Sequence, residues 1–272
     1  MENINEKPKL MKKLFDNISE IKMRIEKKGG AVLLLDFDGV LSAIAKTPDE
    51  AFISNENIEL VKKCVELFPV AVITGRTLED IKKKMDIKDL FYIASHGLEW
   101  EEEGKYHVKP IPKETIAAIN SAKERIRPLV SRYPGMILED KSFMFALHYR
   151  IMKPELIDAF IKEATSILEP IVEQNNLRLD HNMKTFELRP DINWDKGDSA
   201  IFAEKYFNKK VGGKFIPIYI GDSLTDEDAF KAIREHGITI RIGENKESAA
   251  EWYMEDQREV ALFLKWLLSF RQ

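Results

Sequence analysis

The sequence predicts an α/β fold: a doubly wound, Rossmann-like parallel sheet core carrying an inserted α+β cap of αββαββ order. Three observations predict it. Short, wholly apolar runs alternate with helical patterns along most of the chain, as strands buried on both faces of a parallel sheet do. Several of these runs end in acidic, hydroxyl-bearing or glycine residues, and that edge is where open parallel sheets bind ligands. Between Pro110 and Pro190 the alternation gives way to two helices, each followed by a pair of strands. The core is therefore expected at 1–109 and 191–272, and the inserted unit at 110–190.

In chain order, residues 9–28 place Leu10, Leu14, Ile18, Ile21 and Ile25 at helical spacing before Gly29 and Gly30, which predicts an N-terminal amphipathic helix. "AVLLLDFDG" (31–39) is the first buried strand and "SNENIELVKKCVELF" (54–68) its crossover helix. "VAVITG" (70–75), the helix of "TLEDIKKKM" (77–85) and "FYIASHG" (91–97) continue the βαβ series. The acidic "EWEEEGK" around Trp100 predicts a hairpin or linker. In the insertion a helix over 115–132 precedes "MILEDKSFMFALHYR", two strands turning at Asp140 to Ser142. A second helix, 154–173, precedes "LRLDHNMKTFELRP", turning near His181 to Met183. "FIPIYIGD" (215–222) and "ITIRIG" (238–243) return to the parallel pattern, and "VALFLKWLLSF" (260–270) reads as a packed terminal helix.

With 272 residues and 44% apolar content, the chain can bury one large core or two unequal ones. The 42 basic and 46 acidic residues leave a net charge of −4. Their signs are mixed along the chain, which argues against nucleic acid or an anionic membrane as the main partner. The lone Cys64 offers no disulfide and reads as a core residue, consistent with a reducing, cytoplasmic setting. No apolar run follows the early lysines as a signal would require, and the apolar run near the end is short and interrupted by Lys265. Oligomeric state is left open, a monomer being admissible.

The carboxylates at the predicted strand ends carry the chemistry. Asp36 and Asp38 follow the first strand, Gly39 permits a sharp turn after them, and Asp222 closes a second strand in "YIGDSLTDEDAF". Such carboxylates meeting on one edge call for a cation, and a hard divalent ion such as Mg²⁺ suits oxygen ligands. A calcium loop of the EF-hand kind is excluded, since "DSLTDEDAF" lacks the central glycine. Thr74, Arg76 and His96 stand at neighbouring strand ends. By residue type alone, Thr74 also reads as a helix cap, Arg76 as an ion-pair partner, His96 as structural and Lys196 as a solvated lysine.

"DFDGVLS", "ITGR", "DKG" at 195–197 and "GDSLTDEDAF" resemble the four ordered motifs of the haloacid dehalogenase superfamily of aspartate-dependent phosphatases. "ASHGLEW", "ILEDKSFMFALHYR" and "KTFELRPDINWDKGDSA" are similar to stretches of trehalose-6-phosphate phosphatases. The resemblance runs from about residue 31 to 245. It implies Asp36 as the nucleophile and Asp38 as the acid and base. Mg²⁺ would be held by Asp36, the Asp38 main-chain carbonyl and Asp222. Thr74 and Lys196 would grip phosphate oxygens, with Arg76 and His96 as further substrate contacts and Asp226 and Ser223 supporting the metal ligands. Glu139, Lys141 and Glu187 match the set by which that family holds sugar hydroxyls; without the match they read as a solvated face.

Two positions depart from the pattern: Val40 stands where the family usually has Thr, and Ser223 where it commonly has a second Asp. The implied activity is Mg²⁺-dependent hydrolysis of trehalose 6-phosphate. The alternatives are another sugar phosphate, such as sucrose 6-phosphate or mannosyl-3-phosphoglycerate, and a sugar-phosphate binding module without turnover. Asp38 argues against the last, since a pure binder needs no acid/base carboxylate.

Overall fold

Each apolar run assigned to the parallel pattern becomes a strand in the computed structural model, which describes residues 10–102, 104–182 and 184–271. The chain divides into two compact units. One comprises Met1–Ile44, Ala51–Val108 and Trp194–Gln272; the other comprises Ala45–Glu50 and Lys109–Asn193.

The first unit begins with a two-residue strand, β1 (Lys12–Lys13), a 3₁₀ turn at Phe15–Asn17 and α1 (Ile18–Lys27). The expected helix over 9–28 thus starts only at Ile18, and Lys9 lies outside the described residues. Backbone pairing overrides the helical period: β1 lies parallel to a later strand, in register with Trp252 and Tyr253. Leu14, Ile21 and Ile25 are buried as their spacing foretells, whereas Leu10 is exposed.

Next come β2 (Ala31–Leu35), α2 (Asn55–Leu67), β3 (Val70–Ile73), α3 (Leu78–Met85), β4 (Phe91–Ala94), β5 (Glu99–Glu102) and β6 (Lys105–Val108). Ser54 and Thr77 cap α2 and α3, their hydroxyls accepting the Asn57 and Asp80 N–H groups. The second unit holds α4 (Lys113–Ile126), α5 (Pro128–Arg132), β7 (Ile137–Asp140), β8 (Phe145–His148), α6 (Pro154–Gln174), β9 (Leu177–Asn182) and β10 (Thr185–Pro190). The helix expected over 115–132 is divided before Pro128, which lacks the N–H an uninterrupted helix needs. His181 lies within β9, so the expected turn shifts toward Lys184, which adopts φ +60°. Met183 lies outside the described residues. The first unit resumes with α7 (Lys196–Val211), β11 (Ile216–Gly221), α8 (Asp226–Ile233), β12 (Ile238–Ile242), β13 (Trp252–Met254) and α9 (Arg258–Leu268).

Among the described residues, the large sheet runs β1-β13-β12-β11-β2-β3-β4-β5-β6. Pairing is parallel from β1 to β4, and the β5–β6 hairpin adds an antiparallel edge. Alternate residues of the central strands supply two cores. Leu33, Leu35, Val72, Ile218 and Ile240 pack with α1, α2, α3 and α9. Val32, Leu34, Ile73, Ile93 and Tyr219 pack with α7 and α8. Cys64 belongs to the first core, and burial pushes its thiol up to about 12. The strand order reverses between β2 and β11, the topological switch point at whose carboxyl edge a doubly wound sheet opens.

The second unit's sheet runs β7-β8-β10-β9, antiparallel throughout. Phe145, Leu147, Phe186 and Leu188 face a core shared with α4 and α6. The segment Ala45–Glu50, which the sequence reading leaves in the core, groups with this unit; the Arg150 guanidinium donates to the Ala45 carbonyl. No helix among the described residues is long and apolar enough to cross a membrane.

Candidate active site

The ladder between β2 and β11 extends one residue past β2, the Asp36 N–H donating to the Ile220 carbonyl at 3.0 Å. Gly39, at φ +78°, then turns the chain. A Cβ at Gly39 would stand 2.0 Å from Asp222 Oδ2, so a glycine here lets the acid at the end of β11 close against the turn after β2.

Asp36 is buried, and both its oxygens are engaged. Oδ1 accepts the Phe37 N–H at 2.7 Å, and Oδ2 accepts Lys196 Nζ at 2.8 Å. Lys196 stands first in α7 behind a capping box formed by Asp195 and Asp198. Its side chain is 3% exposed, and the ammonium also donates to Asp226 Oδ1 at 2.8 Å. The solvated-lysine reading is thereby excluded. Burial disfavours the Lys196 charge, but Asp226 and Asp36 outweigh it and raise the pKa. Burial likewise drives Asp36 well above the usual carboxylate range; Lys196 opposes the rise while Asp226 and Asp222 add to it.

The carboxylate oxygens of Asp36, Asp222 and Asp226 come within 4.8 Å of one another. Hydrogen bonding separates Asp226 from the other two. Its Oδ1 accepts Lys196 Nζ and the Tyr219 hydroxyl, and its Oδ2 accepts the Asp222 N–H, the Ser223 N–H and the Ser223 hydroxyl. Against the burial that raises it, these donors and Lys196 hold its pKa below the usual value. Asp222 accepts no side-chain hydrogen bond from the described residues, and burial together with Asp226 pushes it up to about 6. The donor set therefore fits a hard divalent cation at Asp36 and Asp222, with Asp226 already saturated by protein donors. Ser223 suits this arrangement, because its hydroxyl donates to Asp226 at 2.6 Å where a second carboxylate would repel. Val40 points into the hydrophobic core, so the missing hydroxyl there leaves an apolar contact.

Asp38 is gripped by Arg76, whose Nε and Nη2 reach its two oxygens at 2.7 and 2.8 Å; Nη1 donates to Asp80 at 2.5 Å. Arg76 thus lies in an ion-pair chain between two carboxylates, the alternative its residue type allowed. The Thr74 hydroxyl accepts the Arg76 N–H at 3.2 Å, while Thr77 caps α3, which excludes the capping reading of Thr74. Ser95, His96 and Gly97 all adopt positive φ, at 48°, 56° and 90°. This turn is tied to the loop after β3: Ser95 N–H donates to the Arg76 carbonyl and His96 N–H to the Thr74 carbonyl. The His96 ring lies over Gly75, where a Cβ would stand 2.6 Å from its Nε2.

Asp36, Asp38, Thr74, Arg76, His96, Lys196, Asp222, Ser223 and Asp226 therefore share one unit, at the carboxyl edge of its strands. Sequence reasoning missed Tyr219 and Asp80. Asp80 stands four residues after Arg76, in the first turn of α3; Tyr219 looks like any core aromatic. In the second unit, Lys141 Nζ lies 2.8 Å from Glu187 Oε1 and 3.7 Å from Glu139 Oε2. His148, also missed, contacts Glu139 Oε2 through Nε2 at 2.7 Å.

The family described as Trehalose-phosphatase matches residues 34–258. A trehalose-phosphate phosphatase of Arabidopsis thaliana is 30% identical over 253 residues, covering 89% of this chain and 67% of that one. A trehalose-phosphate phosphatase of Mycobacterium tuberculosis is 29% identical over 236 residues, covering 85% of this chain. This chain spans only 59% of that relative's length. The C-terminal domain of a C. albicans trehalose-6-phosphate phosphatase has a similar fold, with a TM-score of 0.80, 18% identity and coverage of 95% and 98%.

Proposed function

Because the chain belongs to the trehalose-phosphatase family, we propose that it hydrolyses trehalose 6-phosphate to trehalose and phosphate through an aspartyl-phosphate on Asp36. The observation that carries this reading is Asp36 itself, buried at the switch point, with Asp38 two residues on and Lys196 on its Oδ2.

In the first step an Asp36 oxygen attacks phosphorus, and the sugar oxygen departs with a proton from Asp38. In the second, Asp38 takes a proton from water as that water attacks the same phosphorus, which frees phosphate and restores Asp36. Asp38 must leave Arg76 to serve both steps, so Arg76 sets its resting orientation. The Thr74 hydroxyl proton and the Lys196 ammonium are suited to hold the phosphoryl oxygens as charge develops on them. Asp36, Asp222 and the Asp38 carbonyl would hold Mg²⁺, which would supply charge neutralisation between two anions. Glu139, Lys141 and Glu187 would bind sugar hydroxyls, and the inserted unit is thereby assigned to substrate choice.

The test is phosphate release from a panel of sugar phosphates, including sucrose 6-phosphate and mannosyl-3-phosphoglycerate, with Mg²⁺ and with EDTA. Preference for trehalose 6-phosphate is expected, and full activity after exhaustive chelation would contradict the metal assignment.

The Asp222 shift gives the metal a second readout. Its folded pKa of about 6 exceeds the unfolded value of about 3.9, so the proton is held more tightly in the folded state. The stability this group contributes is complete below about pH 3.9 and is lost as pH rises through about 6. Differential scanning should show Mg²⁺ raising the melting temperature at pH 7.5, with a smaller gain below pH 6 where protons compete for Asp222. A gain independent of pH would remove Asp222 from the ligand set.

Lys141→Ala should lower kcat/KM for trehalose 6-phosphate at least about tenfold, roughly 1.4 kcal/mol. Hydrolysis of p-nitrophenyl phosphate, which has no sugar hydroxyls, should change far less. Equal losses on both substrates would indicate a structural role for Lys141.

A further inference from the structure

Among the described residues three carboxylates are buried: Asp36, Asp226 and Glu99. The first two share the ammonium of Lys196. Glu99, the first residue of β5, is held instead by three neutral donors. Its Oε1 accepts the Leu78 N–H at 2.8 Å and the Ser95 hydroxyl at 2.7 Å, and its Oε2 accepts the Tyr106 hydroxyl at 3.0 Å. An acid is seldom taken into the interior without a counter-charge, so the local geometry has to compensate. Part of that compensation is the amino end of α3, where Leu78 is the first helical residue and its N–H has no carbonyl within the helix to bond.

The two donors on Oε1 belong to different loops. Leu78 follows the loop after β3, which carries Thr74 and Arg76, and Ser95 opens the turn after β4, which carries His96. These loops are also tied main chain to main chain, the Ser95 N–H donating to the Arg76 carbonyl at 2.7 Å and the His96 N–H to the Thr74 carbonyl at 3.0 Å. Ser95 and His96 sit in the left-handed region, at φ 48° and 56°. Residues with a side chain keep that conformation where their surroundings impose it. Glu99 Oε1 is one such constraint, since a single atom holds both the Ser95 side chain and the start of α3.

We propose that Glu99 is a positioning residue for phosphoryl transfer: by clamping the loops after β3 and β4 to each other, it fixes the Thr74 hydroxyl and the Arg76 guanidinium at the carboxyl edge. Thr74 Oγ1 accepts the Arg76 N–H, which leaves its proton to be given to a phosphoryl oxygen. Arg76 in turn holds Asp38 through two hydrogen bonds. A shift of the loop therefore displaces a phosphate contact and the resting place of the acid and base together. Misplacement by about 1 Å can cost a reaction roughly a hundredfold. This inference rests on the reading of the chain as a phosphatase that uses Asp36, Asp38 and Thr74, and it is indifferent to which sugar the substrate carries.

The experiment compares Glu99→Ala, Glu99→Gln, Ser95→Ala and Tyr106→Phe in the full chain with Mg²⁺, on trehalose 6-phosphate and on p-nitrophenyl phosphate, each assayed well below its own melting temperature. Glu99→Ala should lower kcat at least about tenfold, by the same factor on both esters, with KM within about threefold of the parent. Orthovanadate, whose five-coordinate form resembles a phosphoryl group in transfer, should inhibit it at least about tenfold more weakly. Glu99→Gln keeps an oxygen for Leu78 and Ser95 and turns its amide toward the Tyr106 hydroxyl, so it should return kcat to within about threefold of the parent. Ser95→Ala removes one of the two ties and should lower kcat by at least about threefold, which decides the matter if Glu99→Ala does not fold. Tyr106→Phe spares the Oε1 pair and should stay within about twofold of the parent. A lower melting temperature with unchanged kcat in Glu99→Ala and Ser95→Ala would reduce Glu99 to a structural role and overturn the proposal. So would a loss confined to the sugar phosphate, a Glu99→Gln variant as impaired as Glu99→Ala, or a matching loss in Tyr106→Phe. If the parent prefers another sugar phosphate, the trehalose reading falls while the positioning role stands on the aryl ester. If the parent hydrolyses no phosphate ester, both fall.

Discussion

Asp36→Asn is expected to abolish phosphate release while the protein stays folded. The amide keeps the shape and an acceptor for the Phe37 N–H, but it cannot attack phosphorus. A loss of at least about a thousandfold, roughly 4 kcal/mol of barrier, should appear on every substrate, because the nucleophile acts before any sugar is distinguished. Activity within about tenfold of the parent would sink the nucleophile assignment. Folding supplies a control with a definite sign. Burial and the neighbouring carboxylates raise the Asp36 pKa even against Lys196, so the stability this group contributes is full below the unfolded pKa of about 3.9 and is lost as pH rises through the elevated folded value. Asparagine stays neutral throughout. Its melting temperature should therefore vary less with pH than the parent's. A variant that melts well below the parent would make its inactivity uninformative.

Lys196→Met should produce the largest loss of stability. The ammonium joins Asp36 to Asp226 with side-chain exposures of 3%, 6% and 0%, and without it two buried carboxylates face each other. Removing one member of such a buried group typically costs about 3–5 kcal/mol. For a chain of this length that lowers the melting temperature by about 2–4 °C per kcal/mol. Activity should fall with it, since the same ammonium is proposed to hold a phosphoryl oxygen. The double variant Asp36→Asn/Lys196→Met separates the two effects. Neutralising Asp36 leaves Asp226 as the one unpaired acid, so part of the lost stability should return and none of the activity. Additive melting shifts would show that the ion group is not coupled as its geometry implies.

The parallel core was legible because its strands are buried on both faces, which forces unbroken apolar runs such as those at 31–35 and 216–221. Motif residues at the carboxyl edge followed from the same logic, since a polar cluster directly after such a run has few other places to go. Periodicity located the burial of Leu14, Ile21 and Ile25 while misassigning the backbone around Lys12 and Lys13. Side-chain spacing records which residues are buried, and strand pairing with residues some 240 positions away leaves no local trace. β13 escaped for a related reason, being three residues long and held on one side by β1 at the far end of the chain. Within the site, the division of labour between Asp222 and Asp226 was not legible, because it depends on which acid receives the Tyr219, Ser223 and Lys196 donors.

The two lysines of β1 also settle how the large sheet ends. Parallel pairing with β13 consumes one row of that strand's backbone groups, and the row β1 presents in turn is two residues long and flanked by cationic side chains. A neighbouring chain seeking to add a strand would meet too short a template, its two lysines already paired with Glu20 and Glu255. The segment that spoils the predicted helix thus serves as a seal against edge-to-edge association, a task for which a longer and more apolar strand would be less suited.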